Sequence, residues 1–102
     1  MFEYTTEMIT LTINGVDFAH VEKFRVAING RKGQVLKVIE ADDPAIDTDA
    51  HTVSVPLSQT DTASFGNGKI YIQARLVMDD GNVVATDIVK QAVNLTLDRV
   101  IV

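Results

Sequence analysis

The chain has 102 residues, 46% of them hydrophobic, with a formal net charge of −5 and no cysteine. That length suits one domain, residues 1–102, able to bury roughly 65% of the surface its unfolded chain exposes. The acidic balance argues against binding a phosphate backbone, and the missing cysteines exclude disulfide frameworks, thiolate metal sites and cysteine nucleophiles.

Met8 to Ile13 alternates, with Ile9, Leu11 and Ile13 inward, and Asn14-Gly15 marks a turn, which predicts a first strand. Phe18-Ala19-His20 is a connector. Val21 to Ile28 sets Phe24, Val26 and Ile28 against Lys23 and Arg25 and predicts a second strand. Beyond the loop Asn29 to Gly33, Gln34 to Glu40 is a third strand. Val35, Leu36, Val38 and Ile39 break its alternation, as expected of a strand covered on both faces. Ala41 to His51, with Asp42, Asp43, Pro44, Asp47 and Asp49, is expected to be an acidic loop.

Thr52 to Leu57 resumes the alternation with Val53, Val55 and Leu57 inward, and Pro56 places this strand at an edge or at its end. Ser58 with Asp61 three residues on is a capping box for one short helical turn near 58–64, and Phe65 plugs that turn into the core. The plainest signal is a hairpin from Lys69 to Leu97. Ile70, Ile72, Ala74, Leu76 and Met78 share one face, and Lys69, Tyr71, Gln73 and Arg75 share the other. Asp79-Asp80-Gly81 is expected to form a three-residue loop with Gly81 left-handed, setting Leu76 against Val84, Ala74 against Thr86 and Ile72 against Ile88. Val93, Leu95 and Leu97 have the opposite parity, so an extra residue is expected between Val89 and Gln91. A helix from Asp87 to Val100 is the competing reading, which Val93 to Leu97 fits less well. About seven strands with one helical turn before the penultimate strand describe an all-β Greek-key, immunoglobulin-like β-sandwich.

Asp42, Asp43, Asp47 and Asp49 are weak candidates for Ca²⁺ ligation, but their spacing fits no EF-hand, so a solvated loop is favoured and no metal or cofactor is expected. His20 and His51 lack the spacing of a metal pair, and no activated serine motif is present, so no catalytic residue and no enzyme activity are expected. Two sets of residues are candidate interface positions. Tyr71 and Arg75 lie on the outward face of the hairpin strand, where the bland alternative is Tyr71 covering a neighbour and Arg75 pairing with Asp87. Val100, Ile101 and Val102 are apolar at a terminus and are expected either to complete a strand or to meet a partner.

Thr52 to Thr62, Phe65, Gly68, Ile70 to Arg75, Asp80-Gly81-Asn82-Val83, Ala85 and Ile88 together resemble small β-sandwich proteins encoded among tail and baseplate genes of phages and prophages of Gram-positive bacteria. These are similar to the N-terminal immunoglobulin-like module of baseplate upper proteins, and the stretch from Phe24 to Glu40 agrees in layout. The resemblance implies a non-enzymatic structural or assembly role in a virion appendage, with other phage structural proteins or further copies of the chain as partners. An accessory module for cell-surface carbohydrate is the alternative, disfavoured by two Tyr, four Phe and no Trp. The first twenty residues hold Glu3, Glu7 and Asp17 without Lys or Arg, so no signal peptide is expected. No apolar run reaches the ~20 residues of a membrane span. The expected location is therefore a virion component made in the bacterial cytoplasm, contacting neither membrane nor nucleic acid.

Overall fold

The computed structural model describes residues 1–13, 18–41, 46–47 and 51–102. Among them the chain is mostly β, with one α-helix. The strands are β1 (Glu7–Thr12), β2 (Val21–Asn29), β3 (Val35–Ala41), β4 (Ile46–Asp47), β5 (Thr52–Leu57), β6 (Gly68–Met78), β7 (Val83–Ala85) and β8 (Val89–Val93). The helix α1 (Gln59–Phe65) joins β5 to β6. A three-stranded antiparallel sheet runs β1-β5-β4, and a larger antiparallel sheet runs β3-β2-β6 with β7 and β8 in succession along the far side of β6.

Parity explains why these sheets share one interior. Ile9, Leu11, Val53, Val55 and Leu57 come inward from the smaller sheet, and Phe24, Val26, Ile28, Ile70, Ile72, Ala74 and Leu76 from the larger. All are buried, and Val26, Val53, Ala74 and Leu76 have no exposed surface at all. Facing residues on paired strands point to the same side, so the apolar rows Val26 with Ala74 and Ile28 with Ile72 form contiguous strips against the opposite sheet.

The expected helical turn is there, capped as its sequence predicts. The Asp61 N–H donates to Ser58 Oγ at 3.2 Å and the Ser58 N–H to Asp61 Oδ2 at 2.9 Å. Phe65 is buried, and the fully buried Thr62 exchanges two bonds with the backbone of Thr5, donating from Oγ1 to its carbonyl at 2.8 Å and accepting its N–H at 3.1 Å. Lys37 of β3 closes on Asp61. Burial alone would raise the Asp61 carboxyl, but the Lys37 ammonium and the bonds from Ser58 outweigh it and hold the group below its ordinary value.

The hairpin loop is also as expected. The Met78 N–H donates to Asn82 O at 2.8 Å, Gly81 has φ 90°, and Leu76 faces Val84. The phase change, however, comes at Asp87-Ile88 and not between Val89 and Gln91. Thr86 is the cause. Its backbone N–H donates to Ala74 O at 2.9 Å, but its buried hydroxyl accepts the Ala74 N–H at 3.0 Å where a carbonyl would otherwise do so. The freed Thr86 carbonyl accepts from Gln73 Nε2 at 2.9 Å. The ladder therefore breaks, and pairing resumes with Ile72 opposite Val89, leaving Ile88 59% exposed.

Three further expectations are corrected. Leu95 and Leu97 do not face inward, because the strand ends at Val93. Asn94 there turns its N–H to Met1 O at 2.8 Å and accepts the Glu3 N–H at 3.0 Å, a parallel bridge to the N-terminal segment. β3 is an edge strand and is not covered on both faces, since Val35 and Val38 are exposed. Its irregular alternation reflects a register shift, with Ile28 opposite Lys37 but Asn29 opposite Val35, so Leu36 is the extra residue and packs against the core while Val35 is 63% exposed. Finally, the segment expected to be wholly loop contains β4, which lies opposite Thr52 and Val53. Asp42, Asp43 and Asp49 fall outside the described residues.

Two predictions follow from this packing. Leu76→Ala should cost about 3 kcal/mol in urea unfolding, while Val35→Ala on the open edge should stay within about 0.5 kcal/mol. Asp61→Ala should cost about 1 kcal/mol at neutral pH. Because its pKa is lowered on folding, the Asp61 contribution is complete above the ordinary carboxylate value and is lost as pH falls through the lowered one, so the deficit of the variant should shrink in acid.

Candidate functional site

The outward face of the larger sheet gathers charge unevenly. Strand register puts Glu40, Arg25, Arg75 and Ala85 in one row across β3, β2, β6 and β7, with Lys23, Val77 and Val83 in the next. Glu40, Arg25 and Arg75 of the first row and Lys23, Val77 and Val83 of the second line a shallow cavity of about 380 Å³ together with Phe24. Three cations therefore meet one carboxylate on a chain whose net charge is −5.

Arg25 pairs with Glu40 directly opposite it, both side chains remaining well exposed. Such a pair contributes at most about 1 kcal/mol. Arg75 stands opposite Arg25, an unfavourable like-charge neighbour, and among the described residues it has no ion pair. Asp87, its expected diagonal partner, sits in the interrupted stretch after Thr86 and makes no ion pair with it. Beside Arg75, Val83 is 56% exposed. A guanidinium with open donors next to exposed apolar surface can receive a carboxylate and cover an apolar neighbour, the chemistry of an interface anchor.

Tyr71 shares this face but not this cavity. It lies opposite Asn29 and Lys90, four residues and about 13 Å along β6 from Arg75. Val100, Ile101 and Val102 are elsewhere again. They complete no strand and are 58%, 51% and 90% exposed. The backbone of Val102 is gripped by one side chain of α1, Gln59, which accepts from the Val102 N–H at 2.8 Å and donates to its carbonyl at 2.6 Å. The candidate interface residues are thus not brought together: Arg75 lies in the cationic cavity, Tyr71 further along the same face, and Val100, Ile101 and Val102 form an apolar patch at the C-terminus.

Asp47 is placed in β4, and no group of three or more potential metal ligands occurs among the described residues. His20 anchors the hairpin loop, its Nδ1 lying 2.9 Å from Asp79 Oδ2 while the Asp79 N–H donates to His20 O at 2.8 Å. The structure also reveals a tie that periodicity does not signal. Glu3 is only 3% exposed, and Arg99 Nη2 reaches its Oε1 at 3.2 Å, while Thr96 Oγ1 donates to the Glu3 carbonyl at 2.7 Å. The two ends of the chain are thereby locked side by side. No helix among the described residues is long and apolar enough to cross a membrane.

Arg99→Ala should destabilise the fold by about 2 kcal/mol, since it leaves the buried Glu3 carboxylate without its cation. Adding Glu3→Gln should recover part of that loss, which a double-mutant cycle by chemical denaturation measures.

No family model matches the sequence, and neither a curated protein nor a solved structure matches the chain.

Proposed function

We propose that the chain is an immunoglobulin-like Greek-key domain serving as a non-enzymatic structural or assembly component of a phage or prophage tail or baseplate. Strand order supports the fold assignment. In immunoglobulin domains strands C′, C, F and G lie side by side in one sheet and B, E and D in the other. β3-β2-β6 followed by β7 and β8 has the first order, and β1-β5-β4 the second. α1 then occupies the E–F connection, and the position beside B, held by strand A in such domains, has no strand among the described residues.

The observation that carries the binding role is Arg75, which among the described residues has no ion pair and stands beside exposed Val83 on a broad sheet face. The tail and baseplate assignment rests on the resemblance of the stretch from Thr52 to Ile88. In that setting the chain is a virion component made in the bacterial cytoplasm, and its partners are other phage structural proteins or further copies of itself. A carbohydrate module has less support, because the cavity is walled by Val77 and Val83 and not by exposed aromatic faces on which a sugar ring stacks.

The reading predicts that flanking genes encode tail, tape-measure, holin or endolysin proteins, and that gradient-purified particles contain the chain by mass spectrometry. Arg75→Glu should keep the melting temperature and circular dichroism of the parent yet remove the chain from those particles. Particles lacking the parent chain, or carrying the variant at parental level, would overturn the proposal.

A further inference from the structure

We infer that β1 is a self-complementary docking edge, by which two copies of the chain pair antiparallel and join their three-stranded sheets into one. This rests on the geometry of one strand and not on the tail and baseplate reading.

The direction of every backbone group in β1 can be worked out. In an antiparallel ladder, facing residues alternate between pairs that exchange both hydrogen bonds and pairs that exchange none. The Ile13 N–H donates to His51 O at 3.0 Å, in the same register that sets Ile9 opposite Val55 and Leu11 opposite Val53. Odd-numbered residues of β1 therefore bond to β5. Two independent features agree with this phase. Pro56, which has no N–H to give, faces Met8 in a non-bonded pair, and Thr10 Oγ1 lies 3.1 Å from Ser54 Oγ across the closer spacing of such a pair. The N–H and C=O groups of Met8, Thr10 and Thr12 consequently point away from β5, and among the described residues they have no backbone partner.

Exposed edges of this kind are normally blunted by short strands, bulges or charge. The other three edges carry such devices. β4 has two residues, β7 has three and is separated from β8 by the break at Thr86, and β3 has a register shift together with Lys37 on its inward side. β1 has six residues, Glu-Met-Ile-Thr-Leu-Thr, in unbroken register, with its one charge at the start.

A second copy fits this edge. With a two-fold axis at Thr10, the outward groups of Met8, Thr10 and Thr12 meet those of Thr12, Thr10 and Met8 in the other copy. Ile9 then faces Leu11 on the core side, Thr10 faces Thr10 on the outer side, and Glu7 faces Ile13. On the core side the two central pairs are apolar, at the axis threonine pairs with threonine, Met8 lies against Thr12, and no like charges are opposed.

Sedimentation velocity on the full chain tests this. The parent should show a concentration-dependent mass rising from 11.2 kDa toward twice that value. Thr10→Pro removes an outward N–H without touching the β5 ladder, and Thr10→Lys sets two ammonium groups against each other at the axis. Each should weaken association about tenfold or more while circular dichroism stays parental. Thr10→Cys provides a positive readout in a chain without cysteine, since hydrogen-bonded pairs have Cα atoms about 5.5 Å apart, within disulfide reach. It should form a covalent dimer on mild oxidation, and Ser54→Cys, one strand further from the axis, should not. A parent that stays monomeric at all concentrations, variants at Thr10 that associate as tightly as the parent, or equal cross-linking at both positions would overturn the inference. Those results would leave the Arg75 proposal untouched, as particle incorporation is read separately.

Discussion

The structure depends on the two-fold alternation of β6. Its inward residues Ile70, Ile72, Ala74 and Leu76 are all at most 1% exposed and form the middle of the larger sheet, flanked by β2 on one side and by β7 and β8 on the other. Because every second side chain must leave the interior, the same strand that closes the core also carries Tyr71, Gln73 and Arg75 to the surface. Core and outward cationic face are therefore two aspects of one residue pattern. A one-residue slip of β6 would bury Arg75 and expose Leu76, which ties the position of the cationic cavity to the stability of the fold.

How far the sequence foretells this structure follows from how local each signal is. The strands β1, β2, β5 and β6, the cap at Ser58 and Asp61, and the Asp79-Asp80-Gly81 loop each rest on side chains within a few positions of one another, and the structure has them where the pattern puts them. The departures come from long-range partners. The break after Thr86 arises because a hydroxyl reaches across to Ala74, and the irregular β3 because Leu36 is squeezed out of register opposite β2. The strand ends at Val93 because Asn94 finds Met1 and Glu3, more than ninety residues away along the chain. An alternation rule contains no term for such partners. In the candidate site, the outward direction of Arg75 and its distance from Tyr71 along the strand were legible in parity and spacing alone, but its apposition to Arg25 required the register of β2 on β6.

Charge and shape divide the molecule into surfaces of different character. The larger sheet offers Lys23, Arg25 and Arg75 around a cavity with valine walls, suited to a carboxylate-bearing partner. The smaller sheet ends in an edge whose one charge, Glu7, lies at its start and whose backbone donors and acceptors are aligned, suited to another strand. Near the junction of the termini, the Glu3–Arg99 pair and the Gln59 grip on Val102 fix a segment whose side chains remain outside the core.

Residue-resolved amide hydrogen exchange tests the central claim most directly. With β6 bonded on both sides, the amides of Ile70, Ile72 and Leu76, which face β8 and β7, and those of Tyr71, Gln73 and Arg75, which face β2, should all be among the slowest to exchange, opening only with global unfolding. Fast exchange along β6, or slow exchange confined to one of its two sides, would contradict a core built on that strand.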